Sequence, residues 1–478
     1  MKANAKHIHL IGICGTAMAS LAGMLRERGF RVTGSDAAAY PPMSTFLESL
    51  GIPVAQPFAE ANLNPRPDLV VIGNAISRGN VELERVLDER IPFCSLPQIL
   101  HDEFLVGKEV LVIAGTHGKT TTTSMLAWIF ESAGFEPSFL IGGIAENFGS
   151  SFGLGAGKHF ILEGDEYDTA FFDKGPKFLH YFPDALILTS VEFDHADIYR
   201  DIDAVETAFK RLVNLVPRRG KILGFDGGAF ASSANLDRCL AKAFCTVERY
   251  GASDRASWKI SNLKLAAEKT TWSVVRDGEQ WADFEFALGG EYNVWNATAA
   301  AALAAHCGIS KDAIAKALAS FRSVKRRLEV KAEVNGITII DDFAHHPTAI
   351  EQTIRALRAR YVGRRLWVVL EPRSNTMRRN VLQDALAQSL SLADQVVVAA
   401  IFKSEAIPAA ERLDLNRVVG EIQEGKVPAR VLPDADAIVT SIAPELRAGD
   451  VVAILSNGGF GGIYEKLPGR LRSLRAKA

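Results

Sequence analysis

Short apolar runs alternate with amphipathic stretches along most of the chain. His7–Ile11 (HIHLI) reads as a buried strand, followed by a glycine turn and an amphipathic helix in GICGTAMASLAGMLRERG. Arg31–Ser35 and Leu69–Gly73 (LVVIG) continue the pattern as further strands. A second block opens at Glu109, where EVLVIAG runs straight into the helix pattern of THGKTTTTSMLAWIFESAG, with more strands expected at Phe160–Glu163, Ala185–Thr189 and Lys221–Phe225. Strands separated by helices imply parallel, doubly wound sheets. Trp258–Leu288 differs: short alternating runs around Arg276-Asp277-Gly278 predict an antiparallel hairpin. Helices are expected over Asn296–His306 and from about Ser310. A third block, from near Arg327, places strands at Ile337–Asp341, Leu366–Leu370, Gln395–Ile401 and Val451–Leu455 in a second doubly wound unit.

Composition narrows the class. The 478 residues are 48% apolar and 23% charged, with a net charge of −2, which excludes wholesale disorder and collagen-like repetition. Such a balance gives no global cationic field, so neither nucleic acid nor an anionic membrane surface is expected as a partner. Apolar runs such as Val396–Phe402 are too short to span a bilayer. MKANAKHIHLIG lacks the core of a signal peptide. The five cysteines form no CxxC pair, arguing against a disulfide or zinc framework. A cytoplasmic, multidomain protein is the expectation.

The sharpest chemical signal is AGTHGKTTT, Ala114–Thr122. A buried strand enters a glycine turn, then a lysine, then hydroxyls at the start of a helix. Backbone N–H groups and the helix dipole at such a turn attract phosphate oxygens. Lys119 is placed to reach the β/γ-phosphates of a triphosphate, and the Thr120 hydroxyl to ligate Mg²⁺. The loop is shortened: Ile113 stands where the common pattern has its first glycine, and Gly115 serves instead.

Other clusters are less specific alone. Gly12-Ile-Cys-Gly-Thr-Ala-Met-Ala19 resembles a dinucleotide turn loosely, with Asp36 ending the next strand where an acidic residue can bind a ribose. A dehydrogenase, a second nucleotide site, or a turn without a ligand all fit it. EGDEYD (Glu163–Asp168) and EFDHAD (Glu192–Asp197) each follow a strand. Carboxylates and an imidazole at the strand ends that carry the phosphate loop suit a metal site better than a merely solvated loop. Lys210, in an amphipathic helix, reads as an ordinary unmodified lysine.

AGTHGKTTT, EGDEYD, EFDHADIY, the Asn293/Asn296 pair of EYNVWNA, KRRLEV and DDFAHHPT, in this order, resemble the Mur ligase family over essentially the whole chain. The resemblance implies an α/β fold of three domains, with Rossmann-like N-terminal and C-terminal domains flanking a central P-loop ATPase domain. The expected bounds are 1–107 for the UDP-sugar domain, 108–325 for the ATP domain and 326–478 for the ligase domain. Tyr292 stands where this branch usually has His.

The implied activity is ATP-dependent amide formation on UDP-N-acetylmuramate through an acyl phosphate. GICGTAMA, DAAAYPPMST, GNAISRGN, EPRSNTMRRN and SNGGFGGIYEKL favour the branch that adds the intact murein tripeptide in peptidoglycan recycling. The alternative is addition of L-alanine. The resemblance places Gly115, Thr116, His117, Gly118, Lys119, Thr120, Thr121, Asn296, Arg327 and Asp342 on ATP, with Lys119, His195 and Arg327 catalytic. It places Mg²⁺ on Thr120, Glu163 and His195. Gly15, Thr16, Ser35, Asp36 and Asn74 would meet the UDP-sugar, and Arg373, Ser374, Asn375, Asn457 and Gly458 the peptide. The partners are these small molecules, and the chain is expected to be a monomer or dimer. A nicotinamide dehydrogenase would leave the phosphate loop unexplained, and a nucleotide switch the second nucleotide domain.

Overall fold

The computed structural model describes residues 6–39, 43–227 and 231–475. Tyr40–Pro42, within the DAAAYPPMST stretch, lie outside the described residues. The backbone divides into two compact units. One comprises Met1–Glu192, Ile202–Lys259 and Asn296–Ala317; the other comprises Phe193–Asp201, Ile260–Trp295 and Leu318–Ala478.

The first unit contains two sheets. The N-terminal one has strands β1 (His7–Ile11), β2 (Arg31–Ser35), β3 (Val54–Ala55), β4 (Leu69–Ile72) and β5 (Phe93–Ser95), in the order β3-β2-β1-β4-β5. All pairings are parallel. Ile11, Val70, Ile72, Leu83 and Val86 form one core layer, and the helix Thr16–Glu27 buries Ala19, Leu21, Ala22, Met24 and Leu25. The strand order reverses on either side of β1, and the crevice there, at the carboxyl ends of the strands, is the usual ligand position of an open α/β sheet.

The second sheet uses β6 (Glu109–Ala114), β7 (Ser138–Ala145), β8 (Ser150–Gly153) and β9 (His159–Gly164). After a separate small hairpin of β10 (Asp168–Ala170) and β11 (Asp173–Pro176), it continues with β12 (Ala185–Leu188), β13 (Lys221–Asp226) and β14 (Thr246–Gly251). Trp258 and Lys259, which begin β15 (Trp258–Leu265), pair in parallel with Tyr250 and Gly251 of β14. Strand β6 is central, with β12 on one side and β9 on the other. Such strands are covered on both faces, which is why EVLVIA and ALIL are nearly continuous apolar runs rather than alternating ones.

In the second unit, β16 (Thr270–Arg276) and β17 (Glu279–Phe286) form an antiparallel hairpin with Trp272 opposite Phe284. Its turn, Asp277-Gly278, has φ of 53° and 83°, as a two-residue hairpin turn requires. The larger sheet has β18 (Glu329–Val334), β19 (Ile337–Asp342), β20 (Leu366–Leu370), β21 (Gln395–Ala399), β22 (Ala429–Leu432) and β23 (Val451–Leu455). The order is β18-β19-β23-β20-β21-β22, and β18 alone runs antiparallel. Ile340, Val368, Val396 and Ala453 pack on one face; Ile339, Trp367, Val397 and Ile454 pack on the other. Each fully buried aliphatic side chain contributes about 1.5–3 kcal/mol, so both helical layers are held firmly to the sheet.

Candidate functional site

The phosphate loop leaves β6 through two left-handed glycines, Gly115 at φ 130° and Gly118 at φ 82°. A side chain at Gly115 would collide with the Thr189 hydroxyl, and one at Gly118 would come within 2.6 Å of Asn296 Oδ1. The segment after β12 laces the loop in place. The Thr116 N–H donates to the Ser190 carbonyl at 3.0 Å, the His117 N–H to Ser190 Oγ at 3.0 Å, and Thr189 Oγ1 to the His117 carbonyl at 2.5 Å. Glu192 joins by donating its N–H to Thr116 Oγ1 (2.8 Å) and by its carboxylate 3.3 Å from His117 Nε2. The helix Lys119–Ser132 starts here with no side-chain cap, and the first N–H groups of such a helix end attract an anion.

Lys119 donates to the Gly115 carbonyl at 2.7 Å and pairs with Glu166 at 2.8 Å. Burial opposes its charge, but Glu166, Asp165 and Glu163 more than offset this and hold the ammonium above its ordinary pKa. Glu163, at the end of β9, accepts from the Gly142 N–H at 2.7 Å and from Thr120 Oγ1 at 3.3 Å. Burial and then the Asp165 charge push its carboxyl up to about 7. A crowded carboxylate pair beside a hydroxyl is a hard-oxygen donor set that a divalent cation relieves, so Thr120 and Glu163 fit Mg²⁺. Asn296 belongs to the same unit and lies against Gly118 at the helix start; its Nδ2 is buried without a partner among the described residues.

At the N-terminal sheet, Gly15 precedes the helix Thr16–Glu27, again with no side-chain cap. The Gly12 and Ile13 N–H groups donate to the Ser35 carbonyl at 2.8 and 3.1 Å, and the Cys14 N–H to Asp36 Oδ2 at 2.9 Å. Asp36 therefore shapes the glycine turn. The Ser35 hydroxyl is fully buried and donates to Glu82, so Ser35 acts on the turn through its carbonyl. Asn74 is exposed just beyond β4. Lys210 donates to the buried Glu206 at 2.8 Å, which Arg238 also engages at 2.5 Å.

In the second unit, a cavity of about 380 Å³ is lined by Asp194, His195, His345, Arg373, Lys403 and Asn457, among others. His195 thus lies in a different unit from Thr120 and Glu163. Burial opposes ionisation of Asp194, yet His195, His345, His346 and the Thr376 hydroxyl bring its carboxyl well below the usual range. The Ala196 N–H donates to Thr376 Oγ1 at 3.1 Å, and Asn375 Nδ2 to Asp197 at 2.7 Å. Ser374 Oγ accepts from the Met377 N–H at 3.1 Å. Hence Ser374 and Asn375 build the loop as well as line the cavity. Arg373 lies 3.4 Å from Glu371 and stacks 3.9 Å from the centre of the Phe402 ring. Gly458 is bare because a Cβ there would strike the Arg373 guanidinium.

Asp342, at the end of β19, accepts from the Leu328 and Ala344 N–H groups at 2.8 and 2.9 Å and from Thr353 Oγ1 at 3.2 Å. Burial raises its pKa, against the pull of the nearby Arg327 charge. Arg327 lies 5.0 Å from the centre of the Phe343 ring. Its neighbour Arg326, within KRRLEV but given no role of its own from the sequence, braces this edge. It pairs with Asp341 at 3.1 Å and donates to the Ser456 and Gly458 carbonyls at 2.6 and 2.9 Å. Glu371 and Arg378 lie within EPRSNTMRRN but gain their individual roles from the structure, and Phe402 and Lys403 are additions from it. AIFKS, at the end of an apolar run, was the available signal for the last two.

Three family models match the chain: "Mur ligase family, catalytic domain" over residues 7–104, "Mur ligase middle domain" over 113–304, and "Mur ligase, glutamate ligase domain" over 326–458. UDP-N-acetylmuramate--L-alanyl-gamma-D-glutamyl-meso-2,6-diaminoheptandioate ligase of Escherichia coli (strain K12) is 45% identical over 96% of this chain and 97% of its own. UDP-N-acetylmuramate--L-alanine ligase of Desulfitobacterium hafniense (strain Y51) is 32% identical over 96% and 98%. Among solved structures, a murein peptide ligase from Psychrobacter arcticus 273-4 superposes with a TM-score of 0.74 at 38% identity, covering 98% of this chain and 99% of that one. The chain belongs to the Mur ligase family. It is an ATP-dependent ligase of the amide-forming kind.

Proposed function

We propose that this enzyme joins L-alanyl-γ-D-glutamyl-meso-2,6-diaminoheptandioate to UDP-N-acetylmuramate, releasing ADP and phosphate. The observation that carries this reading is the 45% identity, along nearly the full length, to a ligase named for that acceptor and that tripeptide, against 32% to one named for L-alanine. The muramate carboxylate attacks the γ-phosphate of ATP, ADP leaves, and an acyl phosphate forms. The free amine of the peptide's alanine then attacks that carbonyl, expels phosphate and loses a proton.

Catalysis of phosphoryl transfer is chiefly positioning and charge neutralisation. The loop Gly115–Thr121 would present backbone N–H groups to the triphosphate, and Lys119 would turn from Glu166 toward the β/γ-phosphates. Thr120 and Glu163 would hold Mg²⁺, with His195 as a further ligand on the strength of the resemblance. When bound, the ion supplies positive charge to the phosphoryl oxygens. Asn296, Arg327 and Asp342 are the remaining ATP contacts in this reading. Gly15 and Thr16, at a helix N-terminus, with Asp36 and Asn74, would receive the UDP-sugar. Arg373, Ser374, Asn375, Asn457 and Gly458 would line the peptide site. No helix among the described residues is long and apolar enough to cross a membrane; a cytoplasmic monomer or dimer is proposed.

The reading is tested by ADP release. Turnover should require UDP-N-acetylmuramate and tripeptide together. Equal turnover without the sugar nucleotide would refute it.

A further inference from the structure

The cations of the second-unit cavity do not have equal freedom. Arg373 is engaged by Glu371 and by the Phe402 ring. Arg378 donates to the Phe402 and Lys403 carbonyls at 3.2 and 3.3 Å and to Asn375. His195 and His345 stand beside Asp194. Lys403 is exposed, and among the described residues no carboxylate comes within ion-pair distance of its ammonium. Its Nζ lies 5.4 Å from the centre of the same Phe402 ring that Arg373 covers.

The lysine is held where it is. Its backbone is left-handed, φ 47° and ψ 50°, a conformation uncommon for a non-glycine residue and maintained only by its surroundings. Here the surroundings are the two Arg378 bonds to the adjoining carbonyls and the Phe402 N–H donating to the Pro372 carbonyl at 3.2 Å. The segment after β21 is thereby fastened to the segment after β20.

Sheet topology sets these groups in a row. Asn457 follows β23, Arg373 follows β20 and Lys403 follows β21, three adjacent strands. At about 4.8 Å between strands the three strand ends span about 10 Å, the length of about three extended α-linked residues, which a peptide with a γ-linked glutamate reaches and a single amino acid does not. The row is also polarised. Asn457 carries a buried Oδ1 with no partner among the described residues, and Asp194 sits beside His345, which follows β19, the strand next to β23. Asp194 also accepts from the Thr376 hydroxyl, in the segment after β20, so acceptors flank the row from β19 to β20, while Arg373 and Lys403 place cations at its β20–β21 end. An amine suits the first and carboxylates suit the second.

We propose that Lys403 is a specificity-determining residue that binds a carboxylate of the acceptor peptide's third residue, a contact that neither L-alanine nor a dipeptide is long enough to make. The inference rests on the peptide-ligase reading and deepens it. Arg373 then takes a nearer carboxylate, and Lys403 measures length.

The test compares L-alanine, L-alanyl-γ-D-glutamate and the tripeptide as acceptors for the wild-type enzyme and for Lys403→Gln, Lys403→Asn and Lys403→Arg, with ATP and UDP-N-acetylmuramate saturating. Asparagine tolerates the left-handed backbone, so Lys403→Asn guards against a local folding defect. Loss of one charge-assisted contact should lower kcat/KM for the tripeptide by about 10- to 100-fold in the Gln and Asn variants. The other two acceptors should change less than about twofold, and Lys403→Arg should recover most of the loss. An equal fall for all three acceptors, or no fall for the tripeptide, overturns the assignment while leaving the peptide reading intact. A wild-type enzyme that itself prefers L-alanine overturns both.

Discussion

The phosphate loop of the first unit and the cavity of the second solve opposite electrostatic problems. At the loop, the buried Lys119 faces Glu163, Asp165 and Glu166, and the buried Lys177 lies 3.4 Å from Asp165, so three carboxylates meet two lysines before any nucleotide arrives. At the cavity, Arg373, Arg378 and Lys403 outnumber the carboxylates Asp194 and Glu371. The loop's charge pattern suits a site completed by a cation and its triphosphate. The cavity's pattern suits an acidic peptide held directly by protein cations. The two differ equally in construction: the loop itself is one contiguous stretch, while the cavity is gathered from the Phe193–Asp201 segment and the ends of β19, β20, β21 and β23.

The largest effect expected on this contrast comes from Lys119→Ala. Removing the cation from the phosphate cradle should cut turnover by about 10²-fold or more. Glu166 is almost fully buried, so the variant should also lose stability, by about 3–5 kcal/mol if the charge is left uncompensated. Adding Glu166→Gln should restore the thermal midpoint without restoring turnover. If the double variant regains turnover, Lys119 is merely a structural partner of Glu166.

Arg373→Ala comes next. It should raise the KM for the tripeptide by about 10- to 100-fold while the KM values for ATP and UDP-N-acetylmuramate stay put. Steady-state kinetics with each substrate varied decides this; a rise confined to ATP would move Arg373 out of the peptide site. Asp36→Ala removes the acceptor for the Cys14 N–H and should loosen the glycine turn, raising the KM for UDP-N-acetylmuramate about tenfold. An unchanged value would leave the turn without a substrate role.

The smallest effect is read from pH. The Glu163 carboxyl titrates near 7 in the folded enzyme, above its ordinary 4.5. A raised carboxyl pKa means the folded state binds the proton more tightly. Its stabilising contribution is therefore complete below about 4.5 and lost as pH rises through about 7. The nucleotide-free, metal-free wild-type protein should fall in thermal midpoint relative to Glu163→Gln over that window, by a few degrees. Parallel curves for the two proteins would show that the carboxyl is not crowded.

Most of the fold was legible because its central strands are apolar throughout. His7–Ile11, Leu366–Leu370 and Val451–Leu455 stand where the pattern put them. Edge strands such as β3, β8 and β22 were not seen, being two to four residues long and only partly buried. The Trp258–Leu288 region proved to hold β15 as well as the β16–β17 hairpin. The expected strand Gln395–Ile401 ends at Ala399, and the chain reaches the left-handed Lys403 four residues later. The helix expected from Asn296 begins at Glu291. The loop glycines were legible because positive φ demands them. Arg326 and Lys403 were not, since their roles depend on neighbours more than a hundred residues away or on adjacent strands. Ser35 shows the converse, a polar residue at the right strand end whose hydroxyl is spent on buried Glu82.

On the proposed function, the carboxyl edge of the second unit's sheet receives a peptide rather than a single amino acid. One competition measures it: ATP, UDP-N-acetylmuramate, and L-alanine and tripeptide at equal concentration, with the two products separated and weighed by mass. Buried polar groups left unpaired by the smaller acceptor should favour the tripeptide product by up to about 10⁴-fold. A predominance of the L-alanine product would overturn the peptide assignment and leave only the ATP chemistry standing.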